Sequence, residues 1–140
     1  MYIILIWAML LLCWQPAVAQ EARTGVGAIP YHFNSGNTTN STNVKNSEGT
    51  IYSIIAINTN TTLYYLKLYD TSGAPVCNVT PVVHTIAIPY GSSGAGGGFV
   101  LPLPTGLQFY NGIGFCITGG QSDTDNTNAS TGITLSISYR

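Results

Sequence analysis

Charge is the scarcest commodity in this chain. Lys and Arg number 4, Asp and Glu 5, and charged residues fill 6% of the 140 positions, against about a quarter in an ordinary soluble domain. The net charge of −1 excludes nucleic acid as a partner, because a surface that meets phosphates needs a Lys/Arg footprint. Histidines number 2 and cysteines 3, a thin inventory for proton transfer or metal binding. No sustained 3.6-residue apolar stripe occurs, so no amphipathic helix is expected. A nucleophile elbow, an HExxH pair and a phosphate-cradling loop are all missing. The glycine run at 94–98 is not followed by Lys-Ser/Thr.

What fills the space is small and polar: 17 Thr, 11 Ser and 11 Asn, with 16 Gly. Hydrophobic residues still make up 45%, enough to build one core at this length. The first twenty positions differ from the rest. Residues 1–12 are almost unbroken hydrocarbon, followed by Pro16 and the small-residue stretch Ala17-Val18-Ala19. An apolar run of about 7–15 residues before a small-x-small site is the pattern of a secretory signal peptide. Cleavage after Ala19 would make Gln20 the first residue. The run is short for a membrane span, which needs about 20 apolar residues. No Lys or Arg precedes it, so a retained N-terminal anchor and a mis-assigned start codon are the other readings of 1–19. Cys13 follows Leu12, where a lipoprotein site needs a small residue. Cys77 and Cys116 remain beyond the leader, and in an exported protein an even count permits one disulfide; two small buried hydrophobes are the other reading.

From residue 44 onward, short β-rich runs are bounded by Gly, Pro, Asn and Asp, the pattern of an all-β sandwich or barrel. Residues 50–57 (TIYSIIAI) read as a central strand buried on both faces. The turn chemistry of 58–62 suggests a hairpin to 63–69 (LYYLKLY). On that second strand Tyr64, Leu66 and Leu68 share one face, and Leu63, Tyr65, Lys67 and Tyr69 the other, amphipathic one. Further strands are expected at 84–88, 99–103, 106–110, 112–118 and 132–139. Pro102 and Pro104 lack amide donors and favour an edge position for theirs. The alternation of Ile133, Leu135, Ile137 and Tyr139 predicts a well-held last strand. The expected fold is an all-β, antiparallel, jelly-roll-like two-sheet sandwich of about seven or eight strands over 44–140. Residues 20–43, rich in Asn, Ser, Thr and Gly, read as an extended polar arm anchored by Ile29, Tyr31 and Phe33.

Beyond the leader the acids are Glu21, Glu48, Asp70, Asp123 and Asp125, and the imidazoles His32 and His84. A glycosidase needs two carboxylates facing each other across a cleft. Asp123 and Asp125 lie too close together in one loop for that. Their carboxylates, with neighbouring amide oxygens, form a weak Ca²⁺ candidate that lacks EF-hand spacing. A solvated turn is the simpler reading, and two isolated histidines make no metal site. No catalytic residue and no cofactor is expected. Five N-x-Ser/Thr sequons, at Asn37, Asn40, Asn60, Asn78 and Asn128, matter only on a glycosylating secretory route. Tyrosines in or beside the strands, chiefly Tyr64, Tyr65, Tyr69, Tyr90 and Tyr110, are candidate interface or ligand aromatics, because Tyr buries an apolar body while keeping its hydroxyl wet. Glycans are one partner class they would suit. Plain packing within the sandwich is the other reading.

Several pieces recur in one order: Val44-Lys45, Gly49-Thr50-Ile51-Tyr52, Tyr65-Leu66-Lys67-Leu68-Tyr69, TIAIP at 85–89, GFVLPLP at 98–104 with Gly106-Leu107, then Ile117-Thr118-Gly119-Gly120, Asp123-Thr124-Asp125 and Tyr139-Arg140. In that order the chain resembles small β-rich structural proteins of tailed bacteriophages and prophages, over about 95 of 140 residues. The resemblance implies a non-enzymatic component of the virion surface: a decoration, fibre or tail-associated domain, packed against copies of itself and against other virion subunits. It supplies no catalytic residues. The apolar N-terminus departs from that family pattern. It points instead to an exported surface protein, such as an adhesin, an extracellular fibre subunit or a carbohydrate-binding module.

Overall fold

In the computed structural model, which describes residues 27–92 and 95–140, the strand-forming runs become eight strands: β1 (Ile29–Asn34), β2 (Thr42–Lys45), β3 (Gly49–Asn58), β4 (Tyr64–Asp70), β5 (His84–Ile88), β6 (Gly97–Phe109), β7 (Ile113–Thr118) and β8 (Ile133–Tyr139). They form two four-stranded sheets, ordered β1-β8-β3-β6 and β2-β7-β4-β5, and every pairing is antiparallel. Except for β4 and β5, consecutive strands lie in opposite sheets. That order is the eight-stranded jelly roll, two Greek keys rolled into a sandwich. The leader or anchor read at 1–19 lies outside the described residues.

The inner faces close over one apolar core. Ile51, Ile54 and Ala56 of β3 and Ile133, Leu135 and Ile137 of β8 face Leu66 and Leu68 of β4 and Ile113, Phe115 and Ile117 of β7, all of them buried. Alternation along β7 and β8 works as read from sequence, since a strand turns successive side chains to opposite faces.

Four expectations are corrected. First, residues 29–45 are not an extended arm. β1 pairs with β8 along its whole length, and β2 pairs with β7. Between them Asn40, at φ 51°, accepts from the Gly36 amide through Oδ1 and donates to the Gly36 and Thr38 carbonyls. Local side-chain bonds of this kind let a polar segment hold a fixed shape. Second, 50–57 is central in its sheet but buried on one face alone: Ile55 and Ile57 are 40% and 48% exposed. Third, β3 and β4 are no hairpin. The buried Asn58 side chain donates to the Thr62 and Ile88 carbonyls and carries the chain from one sheet to the other. Fourth, 99–103 and 106–110 merge into one long strand, β6. It lies at a sheet edge, as its prolines predict, with β3 its one neighbour. The register slips from Ile51↔Leu107 to Ser53↔Pro102, so 103–106 bulge outward. Gly106 turns the bulge at φ +76°, where a Cβ would lie 2.3 Å from Thr50 Cγ2.

Candidate functional site

Two outward surfaces stand out. The first is the outer face of the β2-β7-β4-β5 sheet, which two long loops cover in part. Residues 71–83 fold over it and are fastened by the Cys77–Cys116 disulfide, the pair read from sequence. Tyr69 lies fully buried beneath, packed with Cys77, Cys116 and Val82. Its hydroxyl donates to the Cys77 carbonyl at 3.0 Å. Burial, reinforced by the Asp123 charge, pushes its phenol up to about 12, so it stays a donor.

Beside this, residues 119–127 form a second cover organised by a lysine. Lys67 is 0% exposed, and its ammonium donates to the Ser122 and Asp125 carbonyls at 2.5 and 2.9 Å. Burial lowers its pKa, and the Asp125 and Asp123 charges oppose that shift. Asp125 accepts from the Gly120 amide and from the Thr127 amide and hydroxyl. Burial alone would raise its pKa, but those donors and Lys67 outweigh it and hold the carboxyl below its ordinary value. The cation that organises this Asp-rich loop is therefore the chain's own ammonium. Among the described residues, no group of three His, Cys, Asp or Glu could hold a metal ion.

Between the loop and β5 lies an open cleft of about 340 Å³, lined by Tyr65, Thr85, Ala87, Gln121 and Asp123. Tyr65 is half-buried, whereas Lys67 and Tyr69 on the same face of β4 are covered.

The second surface is the outer face of the β1-β8-β3-β6 sheet. Here register places Ile55 opposite Val100, Ile57 opposite Gly98 and Ser53 opposite Pro102. Val100 is 69% exposed. Gly98, at φ +148°, lets β6 lie against β3, for a Cβ there would sit 2.1 Å from the Ala56 carbonyl oxygen. A shallow apolar groove of about 400 Å³ results, lined by Ile55, Ile57, Gly98 and Val100 among others. Towards β8 and β1 the same face turns polar: Ser136 stands opposite Ile55, Thr134 opposite Ile57, and His32 opposite Ser136.

Among the tyrosines singled out, Tyr64 and Tyr69 are buried and can meet no partner. Tyr64 faces the core and donates to Ser130 Oγ at 2.8 Å. Tyr90 and Tyr110 are 55% and 77% exposed, on separate turns, and Tyr65 sits in the cleft. The apolar outer face of β3 and β6 escaped sequence reading, because an isoleucine-rich run does not say which of its faces is covered. Of the sequons, Asn40 is buried and its amide is spent within its loop, whereas Asn37, Asn78 and Asn128 are exposed. His32 lies on β1 and His84 on β5, in different sheets.

Asp70 closes the end of β4 against the β6–β7 turn. Its carboxylate accepts from the Asn111, Tyr110 and Gly112 amides at 2.6, 3.1 and 3.2 Å. Burial alone would raise its pKa, but these donors outweigh it and hold the carboxyl below its ordinary value. A carboxyl depressed in the folded state stabilises the fold above its unfolded pKa, about 3.9, and that stability drains away as pH falls through the lower folded value. Asp70→Asn is expected to cost about 2 kcal/mol at neutral pH. Urea titrations at pH 7 and pH 3 check this: the variant should show the shallower loss on acidification, and parallel losses would assign the acid sensitivity elsewhere.

No family model matches the chain, and no curated protein or solved structure matches it.

Proposed function

We propose that this chain is a non-enzymatic structural subunit that self-assembles on the surface of a phage particle, as a decoration, fibre or tail-associated component. The observation that carries the reading is the apolar stripe on the outer face of the β1-β8-β3-β6 sheet. Ile55, Ile57 and Val100 are 40–69% exposed there and line one groove across β3 and β6. Grouped apolar side chains facing water, bordered by hydroxyls, are the composition of a protein–protein contact. With net charge near zero, little repulsion opposes copies meeting face to face. The prolines of β6 blunt the sheet edge, so contact falls to the face.

The order of matching pieces from residue 44 onward supports the phage setting, and the disulfide suits a particle or cell surface, where cystines persist. The disulfide equally favours the second reading, an exported adhesin or extracellular fibre subunit, which the apolar N-terminus supports. Mass spectrometry of the mature N-terminus separates them: Gln20 as first residue favours export, an intact Met1 in purified particles the virion.

Self-assembly has its own test. Light scattering after size exclusion should find the wild type oligomeric and Val100→Glu or Ile55→Lys shifted to monomer with melting temperature little changed. A wild type that stays strictly monomeric at high concentration would overturn the proposal.

A further inference from the structure

We infer that the cleft on the opposite sheet, floored by Tyr65, is a binding site for a neutral saccharide. This inference stands independently of self-assembly, which uses the other face of the molecule.

The sequence builds the cleft by subtraction on one side and by bracing on the other. On β5, Ala87 pairs with Tyr65 and Thr85 with Lys67. These small outward side chains leave the Tyr65 ring uncovered towards the sheet edge. On the β7 side the loop carrying Gln121 and Asp123 cannot settle onto the ring. Lys67 holds two of its carbonyls, Asp125 ties Gly120 to Thr127, and Thr118 Oγ1 donates to the Gly120 carbonyl at 2.9 Å. Asp125 is spent inside the loop, while Asp123 and Gln121 face the cleft. A braced stretch of backbone therefore carries one carboxylate and one carboxamide beside an open aromatic ring, with Thr85 also lining the cleft.

Those groups select the ligand class. A pyranose offers a face of C–H bonds that lies flat on an aromatic ring, and a rim of hydroxyls that both donate and accept. The carboxylate accepts from two adjacent hydroxyls, and the carboxamide donates and accepts in one plane. The ring supplies apolar contact at little cost in side-chain freedom. The cleft is too open to engulf a compact apolar molecule, but one flat sugar residue of a longer chain needs only a platform and a wall. The negative charge of Asp123 disfavours uronic and sialic acids. Another open cleft, around Lys45, Glu48, Thr50, Gln108 and Arg140, has no aromatic floor.

The test is saturation-transfer NMR and calorimetry on the full chain. The probes are di- and trisaccharides of glucose, galactose, mannose and N-acetylhexosamines, with a matched set containing uronic or sialic acid. At least one neutral saccharide should bind. Tyr65→Ala should weaken it about tenfold or more, Tyr65→Phe should retain most of it, and Asp123→Asn should weaken it severalfold. Tyr110→Ala, on a distant exposed turn, should leave it unchanged. Circular dichroism melts establish that each variant is folded. No neutral saccharide binding the wild type, Tyr65→Ala binding like the wild type, or acidic sugars binding better than their neutral counterparts would each overturn the inference. None of those results touches the oligomeric state.

Discussion

Replacing Cys77 and Cys116 together by alanine is expected to cost about 4 kcal/mol of unfolding free energy. The bridge spans a sequence separation of 39 residues, and cross-linking a loop of that size removes a large part of the freedom of the unfolded chain. A second contribution is specific to this fold. The bridge fastens residues 71–83 over Tyr69, whose ring is fully buried only while that cover is in place. Releasing the cover exposes the ring and leaves its hydroxyl to find water in place of the Cys77 carbonyl. Urea unfolding with and without reductant is the measurement. The reduced wild type and the double variant should fall together, well below the oxidised protein. A difference under about 1 kcal/mol would mean that the cover is held without its covalent link.

Phe115→Ala is expected to cost about 3–5 kcal/mol, the range for emptying a fully buried aromatic site. Phe115 is 0% exposed and belongs to β7, yet its ring serves the other sheet. Phe33 meets it edge-on at 5.1 Å and Tyr31 at 6.3 Å. These are the inward side chains of β1, an edge strand whose one neighbour is β8. Removing the ring takes away what β1 packs upon as well as filling volume. Hydrogen exchange should therefore show the amides of 29–34 losing protection before those of β3 or β4. Uniform loss across both sheets, or an overall cost below about 1.5 kcal/mol, would contradict this role.

The sequence made the strands legible where alternation or apolar density was strong, at 50–57, 63–69, 112–118 and 132–139, and Pro102 marked an edge. Counting cysteines past the leader permitted the disulfide, but the sequence could not bring Cys77 and Cys116 within bridging distance. β1 and β2 were illegible for a physical reason. β1 alternates Ile29, Tyr31 and Phe33 with other residues but is only six residues long and lies in an Asn/Ser/Thr/Gly-rich stretch, and β2 is four mostly polar residues; what orders them is distant: Phe115 beneath β1, and β7 beside β2. The partition of strands between sheets was illegible too. The 58–62 segment has the composition of a hairpin turn, and only the bonds of Asn58 to Thr62 and Ile88 reveal a crossing. The cleft was half legible. Tyr65 could be singled out as an aromatic, but not distinguished from Tyr69, because nothing in the sequence says that residues 71–83 fold back over the second ring and leave the first open. Lys67 read only as the charged member of an amphipathic face. Its burial depends on a loop more than fifty residues further on.

The place of β8 bears on how the molecule comes into being. It lies between β1 and β3 and supplies the partner for every residue of β1. A nascent chain still attached to the ribosome and lacking residues 133–139 leaves the earliest strand without a neighbour, and opens the side of β3 that β8 covers. Closing a gap on the order of 100 residues costs chain entropy before any contact repays it. Closure of this sandwich therefore waits on its eighth strand, and the unclosed intermediate is the species most exposed to premature association.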